Sequence, residues 1–233
     1  MTAISSRNGH LAPDATVARV VLRPIGSSLP LGAFALVPSG LLLSGLQLGW
    51  FTDADAKSIP FLLLGYAVPM QLIACVFAFL ARDSLVGTAF GVFSGTWLAY
   101  GITGITSGVT QTSHVLGVFF LAVGGLLAML SGGAIVGGKI AAGAIVVAGS
   151  ARFILSGLYE LMGSSGLEQA AGIVGLVFVG VAAYTGLAAL LEDNARRPIL
   201  PVGRRGLASV AISEGLNGQV EGLEHEAGVR EQL

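Results

Sequence analysis

The chain is poor in charged residues, in cysteine and in histidine. Only 11% of its 233 residues are charged, whereas a soluble domain carries about 25%, which argues against a water-soluble globular protein. The single cysteine, Cys75, excludes an internal disulfide framework and a metal site built from several thiolates. The three histidines are too scattered to predict a metal cluster or a catalytic triad. We therefore expect no enzyme, no cofactor and no metal. The net charge of −1 gives no reason to expect a nucleic-acid partner.

Hydrophobic residues make up 54% of the chain, and the mean hydropathy is +0.82. Crossing the hydrocarbon core of a bilayer takes about 20 mostly apolar residues, and six stretches meet that requirement. They run approximately from Leu31 to Trp50, Pro60 to Leu80, Ser84 to Ile105, His114 to Gly133, Ile140 to Leu161 and Gln169 to Leu191. The first stretch is longer than a signal-peptide core of about 7 to 15 residues and starts later in the chain. The fold class predicted is an all-α integral membrane protein with six transmembrane helices.

Basic residues are distributed unevenly between the connections, which predicts the orientation. Cytoplasmic loops retain lysine and arginine. One side would carry Arg7, Arg19, Arg23, Arg82, Lys139, Arg196, Arg197, Arg204, Arg205 and Arg230, and the other only Lys57. Both termini are thus predicted to be cytoplasmic, in a multi-pass protein of the plasma (inner) membrane. The domains expected are an N-terminal arm (1–26), a transmembrane domain (27–202) and a flexible tail (203–233).

Arg152 is the only basic residue inside an apolar stretch, and its position predicts a location near the bilayer centre. A lone charge there costs a few kcal/mol, so a functional partner is one interpretation. A guanidinium can bind a carboxylate in a bidentate manner. The structural alternatives are a pair with Glu160 on the same helix, or a side chain that reaches the interface. Pro38 and Pro69 lie within spans one and two, where each can kink its helix.

Several motifs resemble those of the acetate uptake transporters, the YaaH/SatP-type succinate–acetate permeases. "LPLGAFAL" is similar to the Pro-Leu-Gly core of the Asn-Pro-Ala-Pro-Leu-Gly signature, and here the matching positions are Ser27, Ser28, Pro30, Leu31 and Gly32. "YAVPMQLIA" resembles the Tyr-Gly-Gly-Ile-Ala-Gln stretch, with Tyr66 and Gln71 on its tyrosine and glutamine. "GTAFGVFSGTWL", "LGVF" at 116–119 and "AAYTGLAALLEDNARRPILPVG" resemble the third, fourth and last spans. The resemblance covers roughly residues 27 to 203.

This resemblance implies a homo-hexameric ring in which each protomer holds its own pathway for acetate, related monocarboxylates or succinate, with proton coupling. It places Leu36 and Phe93 at the narrowest part of that pathway, and we add Tyr66, Gln71 and Arg152 as candidate pathway residues. The chain departs from the pattern where Ser27 and Ser28 replace Asn-Pro. It also departs where Leu36 replaces an aromatic residue, and Arg152 has no counterpart.

Two alternative functions remain open from the sequence. The first is a channel for a neutral solute such as urea or a short amide, whose lining needs only hydroxyls, amides and apolar rings. The second is a membrane sensor or scaffold that does not transport and whose tail recruits a partner. A carboxylate must lose water to enter an apolar constriction, so it either crosses protonated or has its charge compensated by a basic group, for which Arg152 is the only internal candidate. Proton coupling would then need a titratable partner, and Glu160 and His114 are the nearby candidates.

Overall fold

The computed structural model describes residues 25–195 and 197–205, and this part of the chain is helical without a β-strand. The helices are α1 (Leu29–Gln47), α2 (Asp53–Ala56), α3 (Ile59–Leu62), α4 (Val68–Leu80), α5 (Ser84–Ser107), α6 (His114–Val136), α7 (Ile140–Met162) and α8 (Ser165–Ala195). A π-helical turn, Leu63–Ala67, joins α3 to α4. Residues 1–24 of the predicted arm and 206–233 of the predicted tail lie outside the described residues.

Six helical segments in this part of the chain are long and apolar enough to cross a membrane, which confirms the number predicted. The second is the composite Asp53–Leu80. The first ends at Gln47 rather than at Trp50, because the amides of Leu48 and Trp50 turn back to Ser44 and Gly45 and close the helix. The last has 31 residues, so at 1.5 Å per residue it is about 46 Å long and extends beyond a hydrocarbon core of about 30 Å.

The π-helical turn ends at Ala67, two residues before Pro69, the proline predicted to kink the second span. Proline has no amide to donate to the carbonyl four residues earlier. A wider turn is a recognised way for a helix to accommodate such an interruption. The second span therefore changes its helical geometry at 63–67 instead of breaking.

The helices pack as neighbours through small residues. Helix α1 packs on α8, α7 on both α6 and α8, and α4 on α5. A Cβ added at Gly157 of α7 would lie 2.9 Å from the carbonyl oxygen of Gly117 on α6. Glycine is required at such a crossing because it lets two helix backbones approach each other.

At one end of the bundle, the α4–α5 and α6–α7 connections and the segment after α8 are tied together. Lys139 forms an ion pair of 2.8 Å with Asp83, the N-cap of α5. Residues 199–205, called the strap here, cross the α6–α7 connection, and Arg204 forms a β-bridge with Lys139 and an ion pair with Glu192 of α8. The backbone amide of Arg205 donates to the carbonyl of Gly138 at 3.0 Å. The first three residues of the predicted tail, 203–205, are thus packed against the helical bundle.

Candidate functional site

A cavity of about 240 Å³ opens at the end of the bundle opposite the strap. It lies between the last turns of α5, the 108–113 connection, the first turn of α6 and Glu160 of α7, and we call it the vestibule. Hydroxyl groups make up most of its polar lining, together with one side-chain amide. The lining residues are Tyr100, Thr103, Gly104, Ser107, Gly108, Val109, Gln111, Thr112, Ser113, Leu116 and Glu160. The vestibule is large enough to hold several waters or a small polar solute.

Aromatic rings continue from the vestibule into the bundle. The ring of Tyr100, in the vestibule wall, lies 5.9 Å from that of Phe120, which lies 5.4 Å from Phe153. The ring of Phe153 in turn lies 6.3 Å from that of Phe93. These four residues, called the aromatic column here, come from α5, α6 and α7. All four are buried, so the column closes the interior below the vestibule.

A small apolar pocket of about 10 Å³ lies at the other end of the column. Phe93 belongs to both the column and the pocket, which is otherwise lined by residues of α1, α5 and α7. This volume is at the lower limit for a single water. The bundle therefore contains a polar vestibule, a column of packed aromatic rings and a nearly filled pocket, connected through Tyr100 at one end and Phe93 at the other.

The predicted pathway residues occupy different surroundings. Leu36, Phe93 and Gln71 are each 0% exposed, and of these three only Phe93 lines one of the cavities described above. Neither amide atom of Gln71 has a hydrogen-bond partner among the described residues. Tyr66 is 43% exposed and lines an apolar groove of about 470 Å³ on the outside of the bundle, between α1 and the second span.

Arg152 is 0% exposed, and its side chain joins three helices. Nη1 donates a hydrogen bond of 2.8 Å to Oγ of Ser44 on α1. A Cβ at Gly175 of α8 would overlap Nη1 of Arg152, so the guanidinium lies directly against that backbone. Nε and Nη2 have no partner within the part of the chain that the structure describes. Arg152 is adjacent in sequence to Phe153 of the aromatic column but does not line the vestibule or the inner pocket.

The alternative partner that the sequence suggested for Arg152 is bonded elsewhere. Glu160 Oε2 accepts a hydrogen bond of 2.7 Å from the backbone amide of Ser113, the N-cap of α6. One turn beyond Arg152, Ser156 accepts a hydrogen bond of 3.0 Å from Nε2 of Gln47. Polar side chains thus join α1 to α7 at two successive levels.

The signature residues lie at the start of α1, at the same end of the bundle as the inner pocket. The Oγ of Ser27 accepts a hydrogen bond of 3.4 Å from the amide of Leu29, and Ser28 is the N-cap without a side-chain cap bond. Pro30 is buried and Leu31 is 39% exposed. A Cβ at Gly32 would overlap the ring of Phe90, which lines the inner pocket. The signature glycine is therefore part of the wall behind that pocket.

Sequence reasoning missed three of the four residues of the aromatic column, namely Tyr100, Phe120 and Phe153. One signal was available. Phe93, Trp97 and Tyr100 are spaced four and three residues apart, so they share one face of α5. That pattern alone does not distinguish a core stripe from a pathway lining, because the other two rings come from different helices.

Comparison with known proteins places these features in a family. Residues 8–202 match the model of the GPR1/FUN34/yaaH family. A solved structure described as that of the bacterial acetate channel SatP superposes with a TM-score of 0.68 at 20% sequence identity, covering 76% of this chain and 99% of that one. No curated protein gives a significant match. Because the family model spans most of the six-helix region that contains the vestibule and the aromatic column, the chain belongs to the GPR1/FUN34/yaaH family.

Proposed function

We propose that this protein is a membrane channel or transporter for acetate and related small carboxylates, succinate included. The observation that carries the proposal is the continuous series of vestibule, aromatic column and inner pocket within a single protomer. The family and the acetate channel that shares the fold support the choice of substrate class.

The aromatic column is the proposed constriction, with Phe93 at its inner end. Closed packing of four rings would block ions and water, so a solute passes only when the rings move aside. Trp97 supports a polar permeant, because its ring lies 5.9 Å from Phe153 while its Nε1 is a buried donor without a partner in the described part of the chain. Unsatisfied buried donors of this kind call for a bound water or a ligand. Leu36, Gln71, Tyr66 and Arg152 remain predicted pathway residues.

The remaining parts of the proposal rest on the resemblance and on the charge distribution. We propose a homo-hexameric ring in the plasma (inner) membrane, with both termini in the cytoplasm and movement linked to protons. In this orientation the strap with Lys139 and Arg204 lies on the cytoplasmic side and the vestibule faces outward.

The vestibule favours one alternative substrate class. Its described lining offers hydroxyls, the amide of Gln111 and the carboxylate of Glu160, and no basic side chain. A neutral solute such as urea or a short amide would find hydrogen-bond partners there without needing a compensating charge.

Uptake by purified protein in liposomes tests the proposal. Labelled acetate, succinate and urea are supplied with and without an inward proton gradient, and protein-free liposomes correct for acetic acid that crosses lipid unaided. We expect acetate uptake above that background and faster uptake with the gradient. Uptake of urea alone would assign the protein to neutral solutes, and uptake of none of the three would refute transport of these substrates.

A further inference from the structure

The only charged residue among the described residues that line the vestibule is Glu160. Its side chain is 8% exposed, and Oε2 is held at 2.7 Å from the backbone amide of Ser113. This bond joins α7 to the first turn of α6, so the carboxylate is fixed in the cavity wall. Glu160 and Tyr100, the outermost residue of the aromatic column, line the same cavity, so a solute in the vestibule lies close to this carboxylate.

The side chains that interact with Glu160 add no positive charge, and the compensation for its carboxylate comes from the backbone amide of Ser113 at the N-terminus of α6. Glu168 of α8 interacts electrostatically with Glu160, and Tyr100 of α5 and Tyr159 of α7 are the other titratable side chains within electrostatic range. Arg152 lies eight residues earlier on α7, about 12 Å along the helix axis at 1.5 Å per residue. Its guanidinium is turned toward Ser44 and Gly175. No basic side chain in the described lining therefore faces the carboxylate.

Electrostatics then decide which form of a carboxylic acid can enter. A carboxylate anion would share a partly desolvated cavity with Glu160, and charges of like sign repel more strongly there than in bulk water. The undissociated acid carries no charge and can both donate and accept hydrogen bonds with the hydroxyls of the wall. The cavity therefore discriminates between two protonation states of the same molecule.

We propose that Glu160 acts as a charge filter, so that the vestibule admits the undissociated acid and rejects its anion. This inference rests on the proposed function and specifies the form of substrate that the pathway accepts. Proton linkage then needs no separate proton site, because each acid molecule carries its own proton and releases it on the far side.

Glu160 also has a structural role, and one substitution separates the two roles. Glu160→Gln removes the charge but keeps an oxygen that can accept the hydrogen bond from Ser113. Glu160→Ala removes both. Asp53→Asn is the matched control, because Asp53 is an exposed acidic residue at the same end of the bundle and does not line the vestibule.

The test uses liposomes with labelled acetate and with methanesulfonate, a small analogue that stays anionic at all working pH values. For the native protein we expect acetate uptake above the protein-free background, unchanged by a negative-inside potential, with methanesulfonate excluded. For Glu160→Gln we expect methanesulfonate uptake to rise at least tenfold and acetate uptake to become slower under that potential. Asp53→Asn should behave like the native protein.

Each part of the proposal can fail separately. Native uptake of methanesulfonate at a rate close to that of acetate would overturn the charge filter without any variant. Normal acetate uptake with no change in either selectivity readout in Glu160→Gln would overturn the role of Glu160 alone. A change seen in Glu160→Ala but not in Glu160→Gln would assign the effect to the bond with Ser113 and overturn the filter. Absence of acetate uptake by the native protein would instead refute the proposed function, and the filter with it.

Discussion

Arg152 of α7 donates a hydrogen bond of 2.8 Å from Nη1 to Oγ of Ser44 on α1, and both residues are buried in the bundle. A charged side chain at this depth is costly, and a serine hydroxyl is a weak compensation for it. The backbone of Gly175 on α8 lies against the same guanidinium. One side chain thus sets the spacing of three helices.

Gly175→Ala should destabilise the protein, because the added Cβ would overlap both Arg152 Nη1 and Ser44 Oγ. Overpacking of this kind costs about 1–3 kcal/mol. Thermal unfolding in detergent measures the effect, and Gly180→Ala on the same helix is the control because nothing lies within 4 Å of its Cβ. In an Arg152→Ala background the penalty should largely disappear. Equal melting temperatures for the two glycine variants would contradict the close packing.

A comparison of Arg152→Gln with Ser44→Ala tests whether Arg152 binds the substrate or only holds α1 and α7 together. Both remove the hydrogen bond between Arg152 and Ser44, but only the first removes the positive charge. If Arg152 contacts the substrate, acetate uptake should fall at least tenfold in Arg152→Gln and little in Ser44→Ala. Similar uptake by the two variants, at matched amounts of folded protein, would leave Arg152 with a purely structural role.

Phe93→Ala should widen the pathway at the inner end of the aromatic column. The ring packs on Phe153 and Phe178, so its removal leaves space where solutes are proposed to pass. We expect succinate uptake to increase several-fold relative to acetate, with a loss of stability of about 3–5 kcal/mol. Phe61→Ala is the control, since Phe61 is 62% exposed on the surface of the bundle. An unchanged ratio of succinate to acetate would remove Phe93 from the constriction.

Truncation separates a transporter from a scaffold. A chain that ends after Arg205 keeps the contacts of the strap with Gly138, Lys139 and Glu192, and we expect it to retain acetate uptake. A chain that ends after Pro198 loses those contacts and should unfold at a lower temperature. If the chain that ends after Arg205 loses its function in cells, while neither it nor the full-length protein shows uptake after purification, a recruiting role for the tail is favoured.

The six spans could be predicted because the hydrocarbon core imposes a minimum apolar length. A continuous apolar run such as 114–136 meets that requirement in the sequence itself. The direction of Arg152 could not be predicted. Adjacent residues on a helix point about 100° apart, so Phe153 faces the aromatic column while Arg152 faces α1. An error of one residue in the assumed register rotates every side chain by about 100°, which is enough to assign Arg152 or Phe153 to the wrong neighbouring helix.

The candidate site was predictable only in part for a related reason. Phe93 followed from the resemblance, but the column also needs Phe120 and Phe153, whose rings meet only after α6 and α7 pack together. The partner of Glu160 is a backbone amide, which no side-chain pattern can indicate. The composition of the column and the partner of Glu160 therefore depend on contacts between helices, which a single sequence does not reveal.

The close packing of Gly175 against Arg152 also limits which substitutions this protein can accept during evolution. While an arginine occupies position 152, a larger residue at 175 is excluded, so the two positions cannot vary independently. A lineage that replaces the arginine first becomes free to acquire alanine or serine at 175, and the reverse order passes through a destabilised intermediate. Descendants of this chain should therefore show the arginine only together with glycine at the second position.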